Sequence, residues 1–217
     1  MCSSDLRNDG IELTGLGAGQ THNWVYSYYQ ARFTLGRLFG QAYLNTSDAG
    51  DSFLLKRGAK LVDKSKMWVG QLQHGIALAD DKLDLIYGLD ARKTLPESEG
   101  TIYGRYEDQD EISEFGVYAQ AEVAPAPKLS LVGALRMDNT SVLEDALWSP
   151  RAAIVFKPKV GHALRFTYNR AVSTPSTLNM FLDINGGLAP SSLGDLGYLT
   201  RAVGSGKDGL HFQIGRA

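Results

Sequence analysis

The side chains best suited to nucleophilic or metal chemistry are few in this sequence, and they are scattered. The four histidines and the single cysteine are isolated along the chain, whereas the ligands of a zinc site usually recur within about two to five residues; they are His22, His74, His162, His211 and Cys2. One cysteine cannot form an internal disulfide framework. No nucleophile elbow or Ser/His/Asp arrangement is visible either. We therefore expect no enzyme activity, no metal and no cofactor.

A glycine-rich segment, Gly204–Gly209, matches the G-x-G-x-x-G pattern of dinucleotide-binding loops. That pattern requires a preceding apolar strand and a following helix, and the sequence predicts neither here. The segment also fails as a phosphate-binding P-loop, because Asp208 stands where Ser or Thr is needed and Arg201 where the first glycine should be. A nucleotide site is therefore rejected.

The densest acidic run is Glu107–Glu111, and it offers clustered carboxylates. Carboxylate oxygens are the ligands that Ca²⁺ prefers. The run has no further ligand pattern, so the favoured interpretation is a solvated loop before a strand, with a Ca²⁺ site as the alternative.

The remaining charged side chains alternate with apolar ones from Ile112 to Ala171. A period of two is typical of strands with two different environments. The apolar phase contains Phe115, Val117, Ala119, Leu131, Leu135, Ile154, Phe156, Leu164 and Phe166. The opposite phase contains the candidate functional residues Glu114, Glu122, Arg136, Arg151 and Arg165. Four such strands of about ten residues each are the cumulative signature of an outer-membrane β-barrel.

Earlier strands and the lengths of the connections extend this pattern. The earlier candidates are Glu12–Gln20, Tyr26–Leu35, Arg37–Thr46, Met67–Ala79 and Lys82–Arg92. Short turns are predicted near Gly36, Asp81, Ala126 and Pro158, and long connections at Ser47–Ser65, Lys93–Glu111, Asn139–Leu147 and from Ser173 onward. Alternation of short and long loops is the barrel pattern. Aromatics near strand ends predict interfacial girdles; they are Trp24, Tyr26, Trp68, Tyr103, Tyr106 and Trp148.

Composition excludes several classes of protein. The net charge is −2 without a Lys/Arg cluster, which gives no sign of nucleic-acid binding. No apolar run of about 18 residues is present, so the sequence predicts no transmembrane helix. Residues 1–10 lack the pattern of a signal peptide, and we interpret them as a non-native or poorly ordered start to an internal fragment. Partial-barrel strands and loops are predicted for 11–172. A long extracellular loop is predicted for 173–217, with Leu210–Gly215 opening the next strand.

Two segments, Trp148–Pro158 and Leu164–Ser176, resemble the TonB-dependent outer-membrane receptor family. The first carries the Ser-Pro-Arg strand start of that family. The second carries its Arg-Ala segment leading to a proline, with Val172 where an aromatic residue is usual. The resemblance implies a barrel of roughly 22 strands with an N-terminal plug. Such receptors bind a scarce nutrient outside the cell and import it with energy from the TonB complex.

The predicted fold is all-β: an antiparallel up-and-down meander that forms part of a transmembrane β-barrel, as an open curved sheet of about nine to ten strands. The resemblance implies membrane lipid, a plug domain and the TonB complex as partners, and the bacterial outer membrane as location. The five candidate residues would line a wet lumen. The small-molecule ligand stays open among siderophore, vitamin and oligosaccharide. A passive porin-like barrel and a soluble β-sandwich binding protein stay open as alternatives.

Overall fold

The computed structural model describes residues 2–14, 17–55, 58–79, 82–188 and 199–206, and most of them lie in β-strands. Nine long strands dominate: β1 (Cys2–Thr14), β2 (Gly17–Leu35), β3 (Leu38–Asp48), β6 (Lys66–Leu78), β7 (Leu83–Leu95), β8 (Ile112–Ala126), β9 (Leu129–Thr140), β10 (Leu147–Lys159) and β11 (His162–Asn169). The short elements are β4 (Phe53–Leu54), β5 (Ala59–Lys60), a 3₁₀ turn (Gly104–Tyr106), α1 (Thr177–Phe181), β12 (Asp183–Leu188) and β13 (Leu199–Val203).

Eleven strands form one antiparallel sheet that is not closed. The order is β11-β10-β9-β8-β7-β6-β3-β2, with β1 paired to β2. The short β4 pairs with Gly19 and Gln20 near the start of β2, and β5 pairs with β4. Strands β12 and β13 form a separate hairpin. Sequential neighbours therefore pair throughout the long strands, and the predicted open all-β meander is confirmed.

Pairing between strands aligns the apolar phases. Leu85 lies opposite Ala121, and Leu89 lies opposite Val117. We call the side of the sheet in phase with these residues the outward face, and the side in phase with Glu114 the inner face. Side chains on the outward face remain open to the surroundings: Phe166 is 70% exposed and Phe33 is 53% exposed. A sheet in water would bury this face, so the structure has the arrangement of a sheet surrounded by lipid.

From β2 onward, short and long connections alternate as predicted. The connections after β2, β6, β8 and β10 are short, and two of them use glycines with positive φ, Gly36 (57°) and Gly161 (81°). Residues other than glycine rarely adopt this backbone conformation. The connections after β3, β7, β9 and β11 are long and meet at the other end of the strands. We call their described residues the loop cap: 49–55, 58–65, 96–111, 141–146, 170–188 and 199–206.

The loop cap has its own hydrophobic core. Phe181 and Met180 at the end of α1 are buried against residues from two other connections. The cluster consists of Tyr103, Ile112, Val142, Met180 and Phe181, with Ile102 and Tyr106 packed against it. The long loops are therefore joined by burial of apolar side chains rather than extended separately into solvent.

The beginning of the chain differs from the prediction. The predicted strand Glu12–Gln20 is wrong, because its residues are divided between β1 and β2, with Thr14 paired directly to Gly17. Residues 2–10, predicted as a poorly ordered start, lie in β1. The reason is tertiary: β2 is 19 residues long, and it pairs with β1 along most of its length as well as with β3.

The tail after β11 also differs from the single loop that was predicted. Ser176 caps α1 by accepting a hydrogen bond from the Asn179 amide at 3.2 Å, and the β12–β13 hairpin follows. These elements lack a long periodic signal because packing within the loop cap stabilises them. The predicted strand start at Leu210–Gly215 lies outside the described residues. Among the described residues, no helix has the length and apolar character needed to cross a membrane.

Only two of the six aromatics predicted for girdles lie on the outward face. Trp68 and Trp148 are in its phase and are about half exposed. Trp24 lies on the inner face, where its indole donates to Ser47 Oγ at 2.9 Å and stacks on Tyr26 with 5.7 Å between ring centroids. The remaining pair, Tyr103 and Tyr106, belongs to the loop cap. Position in the sequence near a strand end did not reveal which face each ring would occupy.

Candidate functional site

The inner face carries a charge network centred on Arg136 of β9. Its guanidinium donates to both carboxylate oxygens of Asp90 on β7, at 2.7 and 3.0 Å. Arg136 Nε donates to both oxygens of Asp138 at 2.9 Å. Two-pronged contacts of this kind fix the guanidinium plane as well as its charge.

A glycine makes this network possible. Gly116 on β8 lies directly between Asp90 and Asp138 in the pairing of the three strands. A Cβ on Gly116 would meet the Arg136 guanidinium, so the absence of a side chain leaves room for Arg136 to reach across β8 to β7. A second example follows along the sheet, where Tyr118 lies over Gly88 and donates from its hydroxyl to Gln73 at 2.9 Å.

A second ion pair extends the network toward the loop cap. Arg92 on β7 and Glu114 on β8 are direct strand partners and form a salt bridge. The hydroxyl of Thr174 donates to Glu114 at 3.0 Å, so the segment after β11 crosses back over the inner face to β8. Together these residues enclose a depression of about 320 Å³, with Val172 and Leu147 also in its wall.

The inner face is polar well beyond the ion pairs. On β2 and β3, Gln30 donates to Gln41 at 2.9 Å, and Gln41 donates in turn to Gln71 on β6. Glu114, with 17% of its side chain exposed, is more covered than Phe166 on the outward face at 70%. The polar groups of this sheet are therefore on the more enclosed side, which is the reverse of a water-soluble sheet.

Charge is distributed unevenly over the inner face. In the network, two guanidiniums face three carboxylates, which gives a net charge of −1. Arg151 on β10 and Arg165 on β11 form no ion pair with any described residue and are exposed. The β7–β9 part is thus slightly acidic and internally satisfied, whereas the β10–β11 part offers free guanidiniums.

The structure places the five predicted residues on one face and brings only two of them together. Glu114 and Arg136 belong to the network. Glu122 lies nearer the short turns and accepts a hydrogen bond from Ser130 Oγ at 2.9 Å. Arg151 and Arg165 stand apart, as described above. That this face lines a lumen stays a prediction.

Sequence reasoning missed three members of the network, Asp90, Arg92 and Asp138. All three stand in the polar phase of their strands, so the alternation alone contained the signal for their face. The alternation contained no signal for the ion pair between Asp90 on β7 and Arg136 on β9, because β8 lies between these two strands.

The acidic run in the loop cap has a structural role at Glu107. Its carboxylate accepts hydrogen bonds from the Ser98 amide and hydroxyl, and from the Gly100 amide at 3.1 Å. Ser98 is fully buried, and its Oγ accepts from the Tyr103 amide at 3.2 Å. Glu107 thus stabilises the turn that begins the second long connection.

Asp110 is the exception within this run. It is 3% exposed, and its Oδ2 has no hydrogen-bond partner among the described residues. Burial raises the pKa of the Asp110 carboxyl to about 7, and the nearby Glu107 charge adds to the shift. Among the described residues, no group of three or more His, Cys, Asp or Glu side chains could hold a metal ion, so the structure does not support the Ca²⁺ alternative.

A cavity of about 370 Å³ lies between the loop cap and the adjoining ends of the strands. Its wall is mainly apolar, with a few polar groups near its edge, a composition common in small-molecule sites. The lining includes Gln20, Thr21, Trp24, Asp63, Tyr103 and Leu178. The Asp63 carboxylate is held by Ser47 Oγ, which donates to it at 2.6 Å.

Comparison with known proteins places the whole arrangement in one family. Residues 3–203, which run from β1 to the end of β13, match the family model described as TonB dependent receptor-like, beta-barrel. No curated protein and no solved structure matches the chain.

Proposed function

Because the chain belongs to the TonB-dependent receptor family through its β-barrel domain, we propose that it forms part of the wall and outer loops of a receptor for active import of a scarce nutrient. The family is one of bacterial outer-membrane transporters rather than enzymes. The cargo is the part of the proposal that the family leaves open, with siderophore, vitamin and oligosaccharide as the candidate classes.

The observation that carries the proposal is the reversal of the two faces over the matched range. In water, each exposed Leu or Phe side chain on the outward face would forfeit about 1.5–3 kcal/mol of burial free energy. In a bilayer the same side chains meet acyl chains, and the strand ladders satisfy the backbone groups internally. The polar inner face then meets a plug and water, as the function requires.

The two parts of the inner face have different roles in this proposal. The Arg136 network is already paired, so it acts as a stiff wall that holds β7, β8 and β9 in place. Arg151 and Arg165 are free to bind carboxylates of the plug domain by charge-assisted hydrogen bonds. The cavity beneath the loop cap is the candidate contact with the nutrient.

The two alternatives predict other behaviour. A passive porin would show the same reversed faces but would need no energy from the TonB complex. A soluble β-sandwich would need a second sheet packed face to face on the first, and in the described residues the second sheet is only the β12–β13 hairpin.

The test uses the full-length protein in cells that lack the chromosomal copy. Growth is measured under iron, vitamin or carbohydrate limitation, with and without a working TonB complex. The proposal expects one nutrient whose uptake requires both the receptor and TonB. Uptake that persists at the same rate without TonB would overturn it in favour of the porin-like alternative.

A matched pair of variants tests the inner face. Arg151→Gln with Arg165→Gln removes the free guanidiniums of β10 and β11. As control, Lys60→Gln with Lys82→Gln removes two exposed lysines, one from the short strand β5 and one from a turn. We expect the arginine variant to lower uptake several-fold at an equal amount of receptor in the outer membrane, and the control to match wild type. Equal uptake in all three would show that the plug does not use these arginines.

A further inference from the structure

A β-bulge shapes the wall of the cavity beneath the loop cap, which we call the cap cavity. Thr21 and Trp24 both line it, although residues three apart on a regular strand point to opposite faces. The bulge places His22 and Asn23 together opposite Asp9, and this extra residue turns Trp24 to the side of Thr21. The Asn23 amide donates to the Asp9 carboxylate at 2.7 Å, which holds the bulge in place. Bulges often re-aim side chains next to functional sites.

The described lining of the cap cavity carries negative charge and no positive charge. Its carboxylates are Glu12 and Asp63, and no Lys, Arg or His stands among its described residues. Neither carboxylate forms an ion pair with a described residue. Lys64, the next residue after Asp63, instead contacts Glu99 at 2.6 Å. Glu12 is exposed whereas Asp63 is half-buried, so Asp63 is the unpaired charge that lies deeper.

Neutral donors fix the Asp63 carboxylate and leave one acceptor position open. Its Oδ1 accepts from the Ser65 amide at 3.0 Å and from the Ser65 hydroxyl. Its Oδ2 accepts from Ser47 Oγ at 2.6 Å, and Ser47 Oγ accepts in turn from the Trp24 indole at 2.9 Å. Each carboxylate oxygen has two lone-pair positions. Oδ2 therefore keeps one free position, separated from the Trp24 ring by a single hydroxyl.

Other side-chain donors in the wall are largely used within the protein. Gln20 Nε2 donates to two backbone carbonyl oxygens at 2.9 and 3.0 Å, and the Thr21 hydroxyl donates to one of the same oxygens at 3.0 Å. Thr94 and Tyr103 contribute hydroxyls, which can accept as well as donate. Burial raises the pKa of the Tyr103 hydroxyl, and the Asp63 charge adds to the shift. The polar part of the wall thus mainly offers acceptors and negative charge.

The rest of the wall is apolar and includes an aromatic ring. The face of an indole such as that of Trp24 attracts cations. A volume of about 370 Å³ is within the range of small-molecule sites. The apolar lining residues are Leu54, Leu61, Pro96, Ile102 and Leu178. The cavity therefore combines a surface for an apolar body with one place for a positive charge.

We propose that the cap cavity binds an organic cation, with its ammonium group between Asp63 and the Trp24 ring and its apolar body against Ile102 and Leu178. This inference rests on the proposed function, because it names the chemical class of the imported nutrient. An anionic cargo would face two carboxylates without a cation in the described wall. An oligosaccharide would leave hydroxyl groups unpaired against the apolar lining, which is costly.

The experiment measures binding of three probes to the full-length protein in mild detergent by isothermal titration calorimetry. Phenethylammonium, phenethyl alcohol and 3-phenylpropanoate share one apolar body and end in a cation, a neutral hydroxyl and an anion. Titration into detergent alone corrects for partition into micelles. We expect the ammonium probe to bind about five-fold or more tightly than the alcohol, and the carboxylate to bind most weakly. Equal binding of ammonium and alcohol, or tightest binding of the carboxylate, would overturn the proposal.

A matched pair of variants locates the site. Asp63→Asn removes the charge at nearly constant size. Asp108→Asn is its control, since Asp108 is an exposed carboxylate of the same loop cap outside the described lining. We expect Asp63→Asn to lose the preference for ammonium over alcohol and Asp108→Asn to keep it. An equal preference in the two variants would overturn the assignment to Asp63.

Two features keep these outcomes interpretable. Hydrogen exchange of residues 96–111 at the wild-type rate confirms that the loop cap of each variant is folded, and the probe comparison on the wild-type protein needs no variant. The measurements involve neither TonB nor uptake, so failure of the cation proposal leaves the transport proposal intact. Conversely, a receptor that prefers the ammonium probe but imports without TonB would overturn only the transport proposal.

Discussion

Two phenylalanines show how differently the sheet and the loop cap are built. Phe166 on β11 is 70% exposed, whereas Phe181 at the end of α1 is 1% exposed. The sheet turns its apolar side chains outward and its ion pairs inward. The loop cap buries apolar side chains in a core and leaves most charges outside, like a small protein in water. The two regions of the chain therefore place their apolar side chains differently: the sheet exposes them on its outward face, and the loop cap buries them in a core.

The two regions also differ in what holds them together. The sheet depends on long uninterrupted ladders, such as the 13 residue pairs between β6 and β7. In lipid, such ladders are obligatory because an unpaired backbone group costs several kcal/mol. The loop cap depends on its core and on a few buried polar contacts, including Asp183, whose carboxylate accepts two hydrogen bonds from Arg201. Damage to one region should thus leave the other largely intact.

The largest effect is expected for Phe181→Ala in the cap core. Removing a fully buried phenyl ring costs about 3–5 kcal/mol. We expect this cost to exceed the free energy of local unfolding of the loop cap. We expect hydrogen exchange in residues 96–111 and 170–188 to become fast while the strands stay protected. Phe166→Ala is the control, and it should leave exchange in the cap unchanged. Equal exchange in the two variants would remove the distinction between the regions.

A charge on the outward face should destabilise the sheet and spare the cap. Leu89→Arg places a guanidinium in the middle of β7 on this face, at a cost of about 2–4 kcal/mol if it lies at the bilayer midplane. Gln120→Arg on the inner face is the matched control and should cost little. The measurement is urea unfolding of the full-length protein in lipid vesicles. A larger loss for Gln120→Arg would reverse the assignment of the faces.

The loop cap should respond to pH through Asp110. The folded cap binds this proton more tightly than the open cap, because burial raises the carboxyl pKa from 3.8 to about 7. The stabilising contribution of Asp110 is complete at pH values below 3.8, the pKa of the carboxyl in the unfolded chain. It is lost as the pH rises through about 7, the pKa in the folded cap. We expect hydrogen-exchange protection of the cap, corrected for intrinsic rates, to fall roughly ten- to hundred-fold between about pH 5 and pH 8.

Asp110→Asn provides the control for this pH dependence. It removes the titrating group at nearly constant size, so the protection of its cap should be flat across the same range. A wild-type profile as flat as that of the variant would show that Asp110 does not control the cap.

The smallest effect is expected in the Arg136 network. Arg136→Met leaves the Asp90 and Asp138 carboxylates without their shared cation, and partial exposure limits the cost to about 1–3 kcal/mol. Arg37→Met breaks the exposed Arg37–Asp84 pair and should cost about 0–1 kcal/mol. Adding Asp90→Asn and Asp138→Asn to Arg136→Met should recover part of the loss. No recovery would show that packing, rather than charge, accounts for the effect.

Much of the sheet could be predicted from the order of the residues, because successive side chains of a strand point to opposite faces that differ in environment. The alternation around Glu114 and Arg136 predicted their strands and their common face. The same rule covered Asp90 and Asp138 but did not mark them as members of a site, since the contact passes through Gly116 on an intervening strand. Trp24 and Tyr26 were assigned to the wrong environment, because proximity to a strand end does not determine the face.

By itself, the sequence determined the all-β class and the antiparallel meander, because strand periodicity, turn residues and loop lengths are local properties. The family was indicated separately, by the resemblance of Trp148–Pro158 and Leu164–Ser176. Only the tertiary structure decided where β1 pairs, how Arg136 joins β7 to β9, and that the long loops share a core around Phe181. These features depend on which distant residues meet. Their contacts arise only after the strands have aligned, so no local pattern in the chain records them.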